Sequence, residues 1–197
     1  MSPATAPPIL LASTSPQRRA ILEQLGIPFE TIAPRYEEHD PPEGDAAALV
    51  RTHARNKARS VLDEAAGRPV LGVDTSVALD GRIFGKPGDA GEATEMLADL
   101  AGRVHAVVSG LCVLTRGWEV VESEVTLVTF RALGRRELEA YVATGEWEGR
   151  AGGYAIQGRG ATLVERVDGD YLNVVGLPAA LLVRVLAERL PGEYGFG

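Results

Sequence analysis

Apolar and polar positions change period several times along this chain, and the changes mark its elements. Val70-Leu71-Gly72-Val73-Asp74-Thr75 is an apolar run that reads as a buried strand ending in a carboxylate and a hydroxyl. Ile9 to Ser13 is a short apolar strand, and Phe29 to Ala33 alternates like another. Between them, Ser15 is a natural cap and Pro16 a natural first residue for a helix that Gly26 stops. From Asp45 to Ala66 the pattern predicts one long helix, with Leu49, Val50, Ala54, Ala58, Val61 and Leu62 at helical spacing and Lys57 beside that stripe. Asp80-Gly81 is a tight hairpin signal, and a turn there brings Lys86 back toward Asp74. Helices are predicted at 90–100, capped by Asp89, and at 134–143. Long strands are predicted at 103–114 and 119–130, with acidic positions early in the second. Asp168-Gly169 predicts a second hairpin, joining strands at 163–167 and 171–175, before a last helix to Leu190. Strand–helix units at both ends and an antiparallel ribbon between them define an α/β chain with a mixed sheet.

Length and composition narrow the function classes. At 197 residues, 45% of them hydrophobic and 24% charged, the chain suits one domain or two closely joined lobes. We divide it into a disordered tail at 1–8, a main domain at 9–190 and a frayed C-terminal tail at 191–197. The net charge of −7 argues against stable nucleic-acid binding, though a basic pocket for a small anion is compatible with it. Cys112 is the one cysteine, which excludes an internal disulfide and fits a reducing compartment. The first residues lack a signal-peptide pattern and no apolar run spans a bilayer, so a cytoplasmic protein without membrane contact is expected. A homodimer is one arrangement the chain allows.

Candidate chemistry comes from what is absent and what is left. There is no G-x-x-x-x-G-K-[ST], no G-x-G-x-x-G opening a helix, no Cys/His cluster for zinc and no G-x-S-x-G elbow. What remains are carboxylates (Glu38, Asp74), cations (Arg18, Lys57, Lys86) and hydroxyls (Ser13, Thr75) at predicted element ends. Carboxylates that hold a divalent cation, with cations on phosphate oxygens, suit a nucleotide hydrolase. Taken singly, Asp74 also reads as a loop-capping carboxylate and Lys86 as a solvated lysine. The dense glycines between Gly149 and Gly160, interleaved with Tyr154, Ile156 and Gln157, predict backbone that turns tightly or approaches a ligand closely.

Several spaced motifs, in order, resemble the Maf family of nucleoside triphosphate pyrophosphatases. They are Leu11-Ala12-Ser13-Thr14-Ser15-Pro16-Gln17-Arg18-Arg19, Glu37-Glu38, Ala54-Arg55-Asn56-Lys57-Ala58, Gly72-Val73-Asp74-Thr75, Gly85-Lys86-Pro87, Ala151 to Gly158, and Val175-Gly176-Leu177-Pro178. The resemblance implies a long, bent mixed sheet flanked by helices, two lobes and a central cleft, as in inosine triphosphatases. It implies cleavage of a nucleoside triphosphate to monophosphate and pyrophosphate with a divalent metal, Mg or Mn. It implies Asp74 as proton acceptor, Glu38 and Asp74 at the metal, and Ser13, Arg18, Lys57 and Lys86 on the triphosphate. Thr75 and Gln157 match the branch acting on dTTP and UTP. Gln17 stands where that branch has an arginine, so 7-methyl-GTP or CTP are the alternative substrates. A non-catalytic nucleotide-binding regulator of cell division is the alternative function.

Overall fold

The computed structural model describes residues 6–196, so most of the tail expected at 1–8 lies outside it. Seven strands form one mixed sheet: β1 (Ile9–Ala12), β2 (Phe29–Ile32), β3 (Val70–Leu79), β4 (Arg82–Phe84), β5 (Val104–Leu114), β6 (Glu119–Phe130) and β7 (Val164–Asp168). Their order is β2-β1-β3-β5-β6-β7, with β4 also on β3. β1 pairs parallel with β2 and β3, and every other pairing is antiparallel. Helices α1 (Pro16–Gln24), α2 (Ala46–Arg59), α3 (Ala90–Leu100), α4 (Arg135–Val142), α5 (Tyr171–Val175) and α6 (Ala179–Arg189) flank it. None of the described helices is long and apolar enough to cross a membrane.

The central strand β3 runs on through the residue predicted to end it. Asp74 lies at its middle, because the alternation continues through Val77 and Leu79 into the hairpin at Asp80 and Gly81, whose φ angles are 51° and 83°. On one edge β5 pairs with β3 from Val70 to Ala78. On the other, β1 reaches only Leu10 and Leu11, opposite Val70 and Leu71, and β4 covers only Val77 to Leu79. Residues 72–76 of that edge therefore lie between two short strands, and Asp74 sits in the gap.

The period of two then sorts β3 onto two faces. Leu71 and Val73 pack with α1 and α6 through Ile21, Leu22, Leu182 and Leu186. Val77 and Leu79, on the same face, pack with α3 and α4 through Met96, Leu97 and Leu138. These two apolar clusters are the two lobes, and Thr75 separates them along the strand. Gly72 and Asp74 face α2 instead. A Cβ at Gly72 would fall onto the Ala54 carbonyl, so the missing side chain is what lets α2 lie so low on the sheet.

Three local expectations are corrected. The helix expected to run to Ala66 stops at Arg59, and a 3₁₀ turn covers Leu62–Ala65. The Ser60 hydroxyl donates to the Lys57 carbonyl at 2.7 Å, and Val61 N–H bonds back only three residues, to Ala58, so the helix tightens and ends. The strand expected at 171–175 is α5, because the Asp170 carboxylate accepts from Leu172 N–H at 2.8 Å and caps a helix, while β7 pairs with β6. Beyond α6, where fraying was expected, Tyr194 is buried and its hydroxyl donates to the Pro7 carbonyl at 2.8 Å.

Candidate active site

A cavity of about 620 Å³ opens at the gap in β3 and between the lobes. Its floor and one wall come from the β1–α1 turn, β3 and α2. The facing wall comes from residues 146–158 and the end of α5.

The β1–α1 turn is fixed by its own hydroxyls. Ser13 is buried, and its Oγ accepts from Ser15 N–H and from Arg18 Nη1, both at 3.2 Å. The Ser15 hydroxyl caps α1 at Arg18 N–H and donates to the Gln17 amide oxygen at 3.1 Å. Arg18 also donates from Nε to the Gly176 carbonyl at 2.9 Å and from Nη2 to Thr75 Oγ1 at 3.3 Å. Its guanidinium is thus held by neutral oxygens from three elements. Desolvation pulls its pKa below the ordinary arginine value, opposed by the fields of Asp74 and Glu38. Thr75 Oγ1 shares a 2.8 Å hydrogen bond with Ser109 Oγ, its cross-strand partner on β5.

Around the open edge, α2 delivers Lys57. It belongs to the helix's buried stripe with Val50, Ala54 and Ala58, and only 5% of it is exposed. Its Nζ lies 2.6 Å from Asp74 Oδ1 and 2.6 Å from Glu38 Oε1. Two carboxylates from distant parts of the chain therefore converge on one ammonium. Glu38 and Lys57 line the cavity, whereas Asp74, 5% exposed, lies just beneath them.

The donor set fits a divalent cation of the magnesium type. Such an ion takes one or two protein carboxylates and completes its shell with water and substrate phosphate. Glu38 and Asp74, which here both pair with Lys57, would supply that pair, and no cluster of three or more His, Cys, Asp or Glu residues that could hold a metal occurs among the described residues.

The facing wall is shaped by glycine. Gly152 adopts φ 69°, lies against Val77 and donates its N–H to the Gly85 carbonyl at 3.0 Å, which fastens the segment to the hairpin. Gln157 is exposed within the cavity. The Glu146 carboxylate accepts from Arg159 and Gly160 N–H groups, both at 3.0 Å, and fixes the turn that follows it. Lys86 is exposed just beyond β4 and lines the cavity from the hairpin side.

The structure thus brings Ser13, Gln17, Arg18, Glu38, Lys57, Thr75, Lys86 and Gln157 to one cavity, with Asp74 under its floor. One further cation there carried no assignment from sequence. Arg150 lines the facing wall, and its Nε is buried without a hydrogen-bond partner among the described residues. A lone arginine at the edge of the glycine-dense stretch was the available signal.

The fold and site are thus those of a mixed α/β protein with an acid–cation centre at the floor of a cavity. The chain belongs to the Maf family: residues 8–189 match the family model described as "Maf-like protein". Curated relatives named dTTP/UTP pyrophosphatase include one from Nitratidesulfovibrio vulgaris, 49% identical, covering 93% of this chain and 89% of its own length. Another, from Symbiobacterium thermophilum, is 44% identical and covers 91% and 93%. A third, from Deinococcus radiodurans, is 43% identical and covers 98% and 97%. A solved structure of the Staphylococcus aureus Ham1 protein overlaps 63% of this chain and 72% of that one, at 14% identity and TM-score 0.42.

Proposed function

We propose that this protein hydrolyses nucleoside triphosphates, dTTP and UTP foremost, to the monophosphate and pyrophosphate. The observation that carries the reading is the Glu38–Lys57–Asp74 centre at the floor of a cavity whose other walls hold Arg18, Lys86 and Arg150. The names of the curated relatives support the same substrates.

The chemistry follows from the arrangement. Asp74 accepts the proton of a water whose oxygen attacks the α-phosphorus. The new P–O bond forms as the bond between the α-phosphorus and the bridging oxygen breaks, and pyrophosphate leaves with that electron pair. Glu38 and Asp74 would hold a divalent cation, which supplies polarisation of the phosphate oxygens and a more acidic water. Arg18, fixed by its three neutral partners, and the exposed Lys86 offset the charge that accumulates on the leaving group. Lys57 holds the two carboxylates in register.

Base choice falls to Gln157 and Gln17. A side-chain amide presents a donor and an acceptor to the matching edge of a pyrimidine. Gln157 is exposed to do so, whereas the Gln17 carbonyl is engaged by Ser15, leaving its N–H₂ group as donor. The free, buried Cys112 suits a reducing, cytoplasmic setting.

The test is product analysis with Mg²⁺ and then Mn²⁺ over dTTP, UTP, CTP, 7-methyl-GTP and the common purine triphosphates. Monophosphate and pyrophosphate from dTTP and UTP, reduced about tenfold in Gln157→Ala for the lost amide hydrogen bonds, is the expected result. Turnover centred on CTP or 7-methyl-GTP would overturn the base assignment. Binding without turnover would overturn the activity.

A further inference from the structure

One buried side chain beside the catalytic centre has no part in the chemistry above. His53 lies on the buried face of α2, 3% exposed and one helical turn before Lys57. Both of its ring nitrogens are engaged. Nδ1 is 2.8 Å from the Tyr36 hydroxyl, and Nε2 is 2.9 Å from Asp40 Oδ1. Tyr36 and Asp40 stand two residues to either side of Glu38.

The segment that carries these residues has little else to hold it. After β2 ends at Ile32, the chain takes no helix or strand until an isolated bridge at Glu43. It is pinned at its start, where Arg35 N–H donates to Ser60 Oγ at 3.0 Å, and at its end, where Ile83 N–H donates to the Pro42 carbonyl at 2.8 Å. Between those pins, among the described residues, the side-chain bonds of Tyr36, Glu38 and Asp40 run to α2: the outer two to His53, the middle one to Lys57. Residues four apart on a helix share a face. The i, i+4 pair His53 and Lys57 therefore meets the alternate residues 36, 38 and 40 of the loop. The tilted Tyr36 ring, centred 5.6 Å from the imidazole, closes the contact.

We propose that His53 is a positioning residue, a two-pronged clamp that holds Glu38 onto Lys57 by fastening both flanks of its loop. The proposal rests on the reading that Glu38 serves the reaction. It assigns His53 no contact with substrate.

Two measurements test it. The first is kcat for dTTP in His53→Leu, Glu38→Gln and the double variant. The second is amide hydrogen exchange across residues 35–41 in wild type and His53→Leu, without nucleotide or metal. A misplaced site group can cost up to about a hundredfold in rate, so His53→Leu should lower kcat roughly tenfold or more. In the Glu38→Gln background the same change should cost less than about twofold, because the residue it positions is already lost. Exchange at 35–41 should quicken while β3 and α2 keep their protection. Tyr36→Phe, which removes one prong and leaves the buried helix untouched, should reproduce the pattern at smaller size. A Glu38→Gln variant with wild-type kcat would refute the reading of Glu38 and, with it, any action through that residue. A normal Glu38→Gln loss, with His53→Leu costing as much in that background as alone, would refute the clamp while leaving the site intact. Unchanged exchange at 35–41 would also refute it.

Discussion

Replacing Lys57 by Met tests the centre by stability alone. The Lys57 and Asp74 side chains are 6% and 8% exposed, whereas Glu38 is 31% exposed. When the ammonium goes, Glu38 can turn toward water, but Asp74 stays beneath the cavity floor without its cation. Removing one partner of a buried pair costs about 3–5 kcal/mol, against about 0–1 kcal/mol for an exposed one. Because one of the two carboxylates can escape, we place Lys57→Met near the lower figure, about 3 kcal/mol. That is a large share of the roughly 5–15 kcal/mol that holds a domain together. Urea unfolding followed by far-ultraviolet circular dichroism gives the number. The double variant Asp74→Asn/Lys57→Met removes the stranded charge, so it should recover about 2 kcal/mol over Lys57→Met alone. A cost under about 1 kcal/mol for Lys57→Met, or strict additivity in the double variant, would refute the claim that the pair is buried and coupled.

Other expectations reach different parts of the molecule. His105, buried on β5 with Nε2 2.9 Å from the Tyr154 hydroxyl, has its pKa lowered by desolvation from 6.5 to about 4. The unfolded chain takes up a proton as pH falls through 6.5 while the folded one refuses it until about 4. Stability should therefore drop across that window, by up to about 3 kcal/mol, and His105→Phe should flatten the slope of unfolding free energy against pH. Arg150→Met should lower kcat/KM for dTTP about 10- to 100-fold in steady-state assays, the worth of a charged hydrogen bond to phosphate, and an unchanged value would remove Arg150 from the site. Gly72→Ala should destabilise by about 1–3 kcal/mol in urea unfolding and lower turnover too, since the added methyl pushes α2, and Lys57 with it, off the sheet.

Much of the fold was legible because local and tertiary preferences agree. The caps at Ser15 and Asp89, the Asp80-Gly81 turn and the long strands β5 and β6 stand where their residue patterns put them. The misreadings share a cause. Asp168-Gly169 has the letters of a hairpin, but the next residue, Asp170, caps a helix instead, and no local rule weighs a turn signal against a cap. Asp74 looked like a strand end because its carboxylate breaks an apolar run. The burial of that carboxylate is made tolerable by Lys57, supplied from α2 and invisible from β3. The same holds across the site. Motifs marked its residues, but the gap between β1 and β4 that gathers them is a property of strand register. His53 was one of three scattered histidines in the sequence, and only the structure sets Tyr36 and Asp40 against its ring.

The proposed reaction turns on Asp74 taking the proton from the attacking water. It is tested most directly by Asp74→Asn, with dTTP turnover and dTTP binding measured on the same preparation. The amide keeps the shape of the carboxylate and loses its basicity. Pyrophosphate release should fall by about 10²- to 10⁴-fold while dTTP still binds to the folded protein. Turnover within about tenfold of wild type would contradict it, and the proton acceptor would have to be sought elsewhere in the cavity.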